Sequence, residues 1–149
     1  MMVSIVFSDV IVNATDLRQN QKCWLEKAYE NPITVSYGRK QLAIMNREQI
    51  GKLYTQKYYS ELVLKACEEF MKGLKSDTFP WEEYLSDEEK IEFHNELLTC
   101  AMRSIFTGDW TQLEHAIEDW KATAETERSL EIVKALQDRG TPEQYVTLK

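Results

Sequence analysis

Arg18, Asn20 and Lys22 stand two residues apart along one helical stretch, and Arg39-Lys40 form a basic pair in a turn. Arginine's planar fork can hold a phosphate or a guanine edge through two parallel hydrogen bonds, so such cations suit a nucleic-acid surface. The same spacing also suits ordinary solvated charges, or an Arg18 paired with Asp16 or Asn13. A second group, Phe79-Pro80-Trp81-Glu82-Glu83-Tyr84, places aromatics and carboxylates around a proline, which suits a hinge or a protein-binding segment. His94, His115, Cys23, Cys67 and Cys100 could be imagined as a thiol or zinc site. They form no CxxC, HExxH or close His/Cys pair, so His94 and His115 read as helix-surface residues. There is no glycine-rich phosphate loop, and Glu88-Glu89 and Glu118-Asp119 lie on ordinary acidic helix faces. Neither a catalytic residue, a metal nor a cofactor is expected.

The elements that must position these groups follow from pattern. Val3–Phe7 and Val10-Ile11-Val12 are β-branched runs that predict one strand or two short ones. Asn13 or Thr15 can cap the next helix, Asp16 complements its dipole, and Leu17, Trp24, Leu25 and Ala28 give it a buried stripe. Asn31-Pro32 ends that helix and forces an extended segment. Ile33 and Val35, then Leu42 and Ile44, alternate with polar residues on either side of Tyr37-Gly38-Arg39-Lys40, a hairpin with a basic tip. A long helical pattern follows from Arg47 to Lys75, with Ile50, Leu53, Tyr54, Leu62, Ala66, Phe70 and Leu74 in register and a bend or boundary at Tyr58-Tyr59.

Residues 76–81 break this pattern and read as a linker carrying exposed aromatics. Ser86 and Glu89 make a capping box for a helix with Ile91, Leu97, Leu98, Ala101, Met102 and Ile105 on one face, closed by Gly108. Asp109 caps a helix with a stripe of Leu113, Ile117, Trp120 and Ala124. A separate final helix through Leu130, Val133 and Leu136 ends at Gly140. Core packing is expected for Trp110 and Trp120. The fold class is α+β: a strand-helix-hairpin-helix domain over residues 1–58, then an all-α region over 59–149 with a hinge about 76–85.

Hydrophobic residues make up 43% and charged residues 29% of the 149, with five Gly and three Pro, the composition of a folded chain rather than a disordered one. The net charge of −7 is uneven. Residues 1–60 carry eight Lys+Arg against five Asp+Glu, and residues 61–149 carry ten against twenty, giving +3 and −10. One part thus tolerates a polyanion while the other attracts a basic partner. Three widely spaced cysteines do not make a disulfide framework and fit a reducing cytoplasm. The first twelve residues lack a basic start and are too short to span a bilayer, so a cytoplasmic protein without membrane association is expected.

From about Val10 to Tyr54 the chain resembles the Phd/YefM (prevent-host-death) family of type II antitoxins. The residues carrying the resemblance are Thr15-Asp16-Leu17-Arg18-Gln19-Asn20, then Ile33-Thr34-Val35-Ser36, the Arg39-Lys40 turn, Leu42-Ala43-Ile44-Met45, and the helix from Glu48. Their order and spacing agree with the family pattern. Gln21 stands where the family usually has Leu, and Tyr37-Gly38 precede the basic pair where the family often has two arginines before a glycine.

The resemblance implies a homodimer that binds operator DNA and represses its own operon. Its contacts would be Arg18, Asn20, Lys22, Arg39 and Lys40. It also implies a cognate toxin, small and basic, of the RelE/YoeB RNase type, held by the acidic region, with Phe79, Pro80, Trp81, Glu82, Glu83 and Tyr84 as the expected contacts. A fragment from Ser76 onward would then retain neutralisation. The alternative is a solitary transcription regulator whose helical region binds a protein or small ligand; a small thiol or metal enzyme is a third reading.

Overall fold

A computed structural model describes residues 10–138, so the expected strand at Val3–Phe7 and the helix end at Gly140 lie outside the described residues. Mixed α+β structure is present: a three-stranded sheet is followed by helices. The chain divides into two compact units, Met1–Thr55 and Gln56–Lys149.

In the first unit β1 (Ile11–Asn13) leads into α1 (Ala14–Gln19) and α2 (Gln21–Glu30), then β2 (Ile33–Tyr37) and β3 (Lys40–Ile44). β2 is central, pairing parallel with β1 through Asn13↔Ser36 and antiparallel with β3 through Tyr37↔Lys40. Asn13 is the N-cap, its Oδ1 accepting from the Asp16 N–H at 2.7 Å. One uninterrupted helix was the expectation, but Asn20 leaves the helical region at φ −122° and ψ 40° and separates α1 from α2. Asparagine competes with the helical backbone for hydrogen bonds and is a weak helix interior residue.

Among the described residues, the core of this unit holds Val12, Ala28, Ile33 and Val35, with Leu17, Trp24 and Ile44 packed against it. Leu25 and Leu42, expected inside, are exposed, as are Ile11, Tyr29, Leu53 and Tyr54. A sheet this small has no layer to cover its outward residues.

α3 (Arg47–Met71) is helical through Tyr58-Tyr59. Asn46 accepts from the Glu48 N–H at 2.9 Å at its start. Its end is a Schellman turn: Gly73 takes φ +64°, its N–H reaches Phe70 O, and the Leu74 N–H reaches Glu69 O. Leu74 is therefore outside the helix and exposed.

The second unit adds a 3-10 helix (Pro80–Tyr84), α4 (Asp87–Thr107) and α5 (Thr111–Asp138). Its core joins Val63 and Ala66 of α3 to Phe79, Leu85, Phe93, Leu97, Ala101, Trp110, Leu113, Ala116 and Ala124. Ser86 and Glu89 form the expected capping box, and Gly108 closes α4 at φ +74°. Asp109 accepts from the Thr111 N–H, and this bond holds its carboxyl below the usual range.

Three expectations are corrected in this unit. The linker is packed core: Phe79 is only 5% exposed, wedged against Trp81 and Phe93, because its aromatic area gains more from burial than a flexible hinge would leave it. α4 turns Phe93, His94, Leu97, Cys100, Ala101 and Ser104 inward, leaving Ile91, Leu98, Met102 and Ile105 outside. Phe93 and the aromatics around it set that rotation, overriding the stripe of aliphatic residues. The two C-terminal helices are one, since no Gly or Pro interrupts residues 111–138; Leu130, Val133 and Leu136 are exposed on it.

Candidate nucleic-acid and partner surfaces

The β1-helix-β2 crossover fixes where the basic residues sit. β1 runs parallel to β2, so the end of β1, where α1 begins, lies beside Ser36, and β2 enters the hairpin turn just beyond. α1 and the hairpin tip therefore occupy the same end of the sheet. The tip is a two-residue turn, Gly38-Arg39, between the paired Tyr37 and Lys40. Gly38 takes φ +56° and Arg39 has no positive φ, the pattern of a turn whose first central residue is left-handed. A side chain at Gly38 would meet nothing within 4 Å but would be strained by that φ.

Arg18, Asn20, Lys22, Arg39 and Lys40 are all exposed. Arg18 and Lys22 line one shallow groove of about 730 Å³ with Gln19, Leu25, Glu26 and Tyr29, and Asn20 lines an adjoining groove with Lys22. Arg39 and Lys40 line neither, so the two basic groups share an end of the sheet without sharing a groove. The reading in which Arg18 pairs with Asp16 or Asn13 does not hold: Asn13 Nδ2 donates to Asp16 Oδ2 at 2.8 Å, and among the described residues no ion pair involves Arg18, Lys22, Arg39 or Lys40.

The expected partner-binding segment is divided by burial. Phe79 and Glu82 are buried and Trp81 and Tyr84 half-buried, whereas Pro80 and Glu83 are exposed. Glu83 holds Lys75 at 2.7 Å, and this hydrogen bond moves the Lys75 ammonium up and the Glu83 carboxyl down from their ordinary values. As a set, then, 79–84 is the packing insert of a helical core with a polar outer edge. Phe79 and Glu82 are removed from the list of available contacts, because docking on them would require that core to open.

What the sequence did not announce is the pair Glu82–His94. His94, expected on a helix surface, is 3% exposed, and its Nε2 lies 2.6 Å from Glu82 Oε1. Its ring stacks on Phe70 at 4.2 Å between centroids and meets Phe93 edge-on. With the carboxylate ionised, Nε2–H donates, leaving Glu82 Oε2 and His94 Nδ1 without a side-chain or backbone partner. The 3-10 helix delivers Glu82 inward twelve residues before the histidine; no periodic rule connects positions in two different helices, so only the apolar neighbours Phe70 and Phe93 hinted at burial. A cleft of about 410 Å³ reaches Glu82, lined also by Phe70, Lys75, Ser76, Glu83 and Lys90.

Nearby, burial pushes the Glu69 carboxyl up, but the Thr78 N–H at 3.2 Å, the Ser76 hydroxyl at 3.1 Å and Lys65 together outweigh it and hold it below the usual carboxylate range. Burial pushes the Cys67 thiol up, reinforced by the Glu82 charge, and does the same to Cys100, where Glu96 adds to it and Arg103 opposes. Raised thiols are poorer nucleophiles at neutral pH. Cys23 is exposed. Among the described residues no three His, Cys, Asp or Glu side chains gather in a way that could hold a metal ion, and no helix is long and apolar enough to cross a membrane.

Compared with known proteins, the chain matches no family model, no curated protein and no solved structure.

Proposed function

We propose that this protein is an antitoxin of a type II toxin-antitoxin system: it binds operator DNA as a homodimer through its first unit and neutralises a small basic toxin through its acidic helical unit. The observation that carries the reading is the set of basic residues on α1, the start of α2 and the hairpin turn, Arg18, Lys22, Arg39 and Lys40, all exposed and none in an ion pair among the described residues, with α1 beginning at the same end of the sheet as the turn. Phosphates and guanine edges are the ligands that such unpaired, solvated cations suit. The order of elements from Ile11 onward also follows the pattern that suggested the Phd/YefM family.

Two further features support it. Among the described residues the first unit buries four hydrophobic side chains, while Ile11, Leu25, Tyr29, Leu42, Leu53 and Tyr54 are exposed, apolar surface that a second copy would bury. Dimerisation also doubles a net charge of only +3 over residues 1–60, which alone supports weak DNA binding. The charge of −10 over residues 61–149 suits steering of a basic protein.

The test is tagged purification of the whole chain from its host. Co-elution of a small basic protein, together with a mobility shift on the DNA upstream of its own gene, supports the reading; neither would refute it. The alternative is a solitary regulator sensing a small ligand, favoured by the cleft lined by Glu82, Lys75 and Lys90. It would retain the DNA shift and yield no protein partner.

A further inference from the structure

We infer that the partner-docking surface of the helical unit is the outer face of α4, and that its occupant is an amphipathic segment of a partner protein with an apolar stripe flanked by Lys or Arg. This rests on the reading of the acidic unit as a trap for a basic protein, and it replaces the segment 79–84, whose Phe79 is spent in the core and whose Trp81 is half-buried against it.

Ile91, Leu98, Met102 and Ile105 are exposed and recur at steps of seven, four and three residues. At about 100° per residue they fall within about 60° of one another, a single stripe running most of the helix. Phe106 extends it at the far end and is 89% exposed. The far side of α4 is committed to Phe93, Leu97, Cys100 and Ser104, and buried His94 and Ala101 lie between that side and the stripe, so the stripe is exposed apolar surface that continues outward from the core. Such a contiguous patch on a folded domain marks an interaction surface.

Charge decides what covers it. Glu88, Glu92 and Glu96 stand at four-residue steps and form a ridge beside the stripe. Glu96 accepts from Trp120 Nε1 at 2.7 Å, while Glu88 and Glu92 are exposed and enter no ion pair among the described residues. A second copy would bring the same ridge with Arg103 as the only exposed base of α4, one cation for three carboxylates. A basic-flanked apolar segment matches both the stripe and the ridge.

The probe is a synthetic helical peptide with Leu at the matching steps and Lys along one flank, titrated by fluorescence anisotropy against the whole protein. Binding that weakens with added salt and is at least about tenfold weaker in Leu98→Asp/Met102→Asp supports the inference, as does a similar loss in Glu88→Lys/Glu92→Lys. All four positions are exposed, and circular dichroism verifies that each variant is folded. Absence of binding, equal binding by the variants, equal binding of a Glu-flanked peptide, or a dimer in sedimentation that Leu98→Asp alone dissolves would overturn it. The host pull-down separates the two readings: no basic partner refutes the proposed function, whereas a basic partner captured equally by wild type and by Leu98→Asp/Met102→Asp refutes only this face.

Discussion

At the scale of residues, exposure and burial divide the ionisable groups into two kinds. Arg18 is exposed and in no ion pair among the described residues, so truncating it costs the free protein little and a DNA complex all that it contributes. Arg18→Ala is expected to weaken operator binding by about tenfold to a hundredfold, the worth of one good arginine contact, while leaving partner binding unchanged in the same preparation. A mobility shift with unaltered affinity would count against it. His94 is the opposite case, since removing it strands the buried Glu82 carboxylate. His94→Leu should cost about 1–3 kcal/mol in denaturant unfolding, the penalty of leaving a buried hydrogen-bonding group without its partner.

Glu69 gives the acid limb. Its carboxyl lies below the ordinary 4.5 in the folded protein, so its contribution is complete above about pH 4.5 and is lost as pH falls through the folded value. Stability should therefore decline on the acid side, and less steeply in Glu69→Ala; identical slopes in the two proteins would contradict the assignment.

At the scale of elements, helix ends were legible because capping chemistry is local. Ser86 and Glu89, three residues apart, suffice to start α4, and Gly108 suffices to stop it. Ser86→Ala removes an acceptor for the Glu89 N–H and should cost about 1 kcal/mol, measurable as a shift in the unfolding midpoint without a change in slope. Helix rotation was not legible in the same way. α4 carries aliphatics on one side and Phe93 with His94 on another, and periodicity alone favours the longer aliphatic stripe. The winning face is chosen by partners distant in sequence: Phe79 and Trp81 meet Phe93, Phe70 meets His94, and Trp120 meets Phe93. The same non-local packing turned residues 76–85 from an expected hinge into core, because a proline marks a helix break without saying what the break packs against.

At the scale of the whole molecule, the chain joins a small, under-filled αβ unit to a helical unit with a well-packed aromatic core. The basic cluster of the first could be picked out from sequence because arginines and lysines at a helix and a turn stay on the surface in almost any fold. The buried Glu82–His94 pair could not, since it depends on the 3-10 helix turning the first of its two carboxylates inward. Packing also corrects the fragment starting at Ser76: it would discard Val63, Ala66 and Glu69, which complete the core and the turn, and should not fold as the intact unit does. The neutralisation proposed above would therefore need the intact chain. The most direct measurement is growth of cells expressing the basic protein that co-elutes with this one. Expression of that protein alone should arrest growth, and co-expression of the full chain should restore it. Unimpaired growth with the partner alone, or arrest that the full chain does not relieve, would contradict the account.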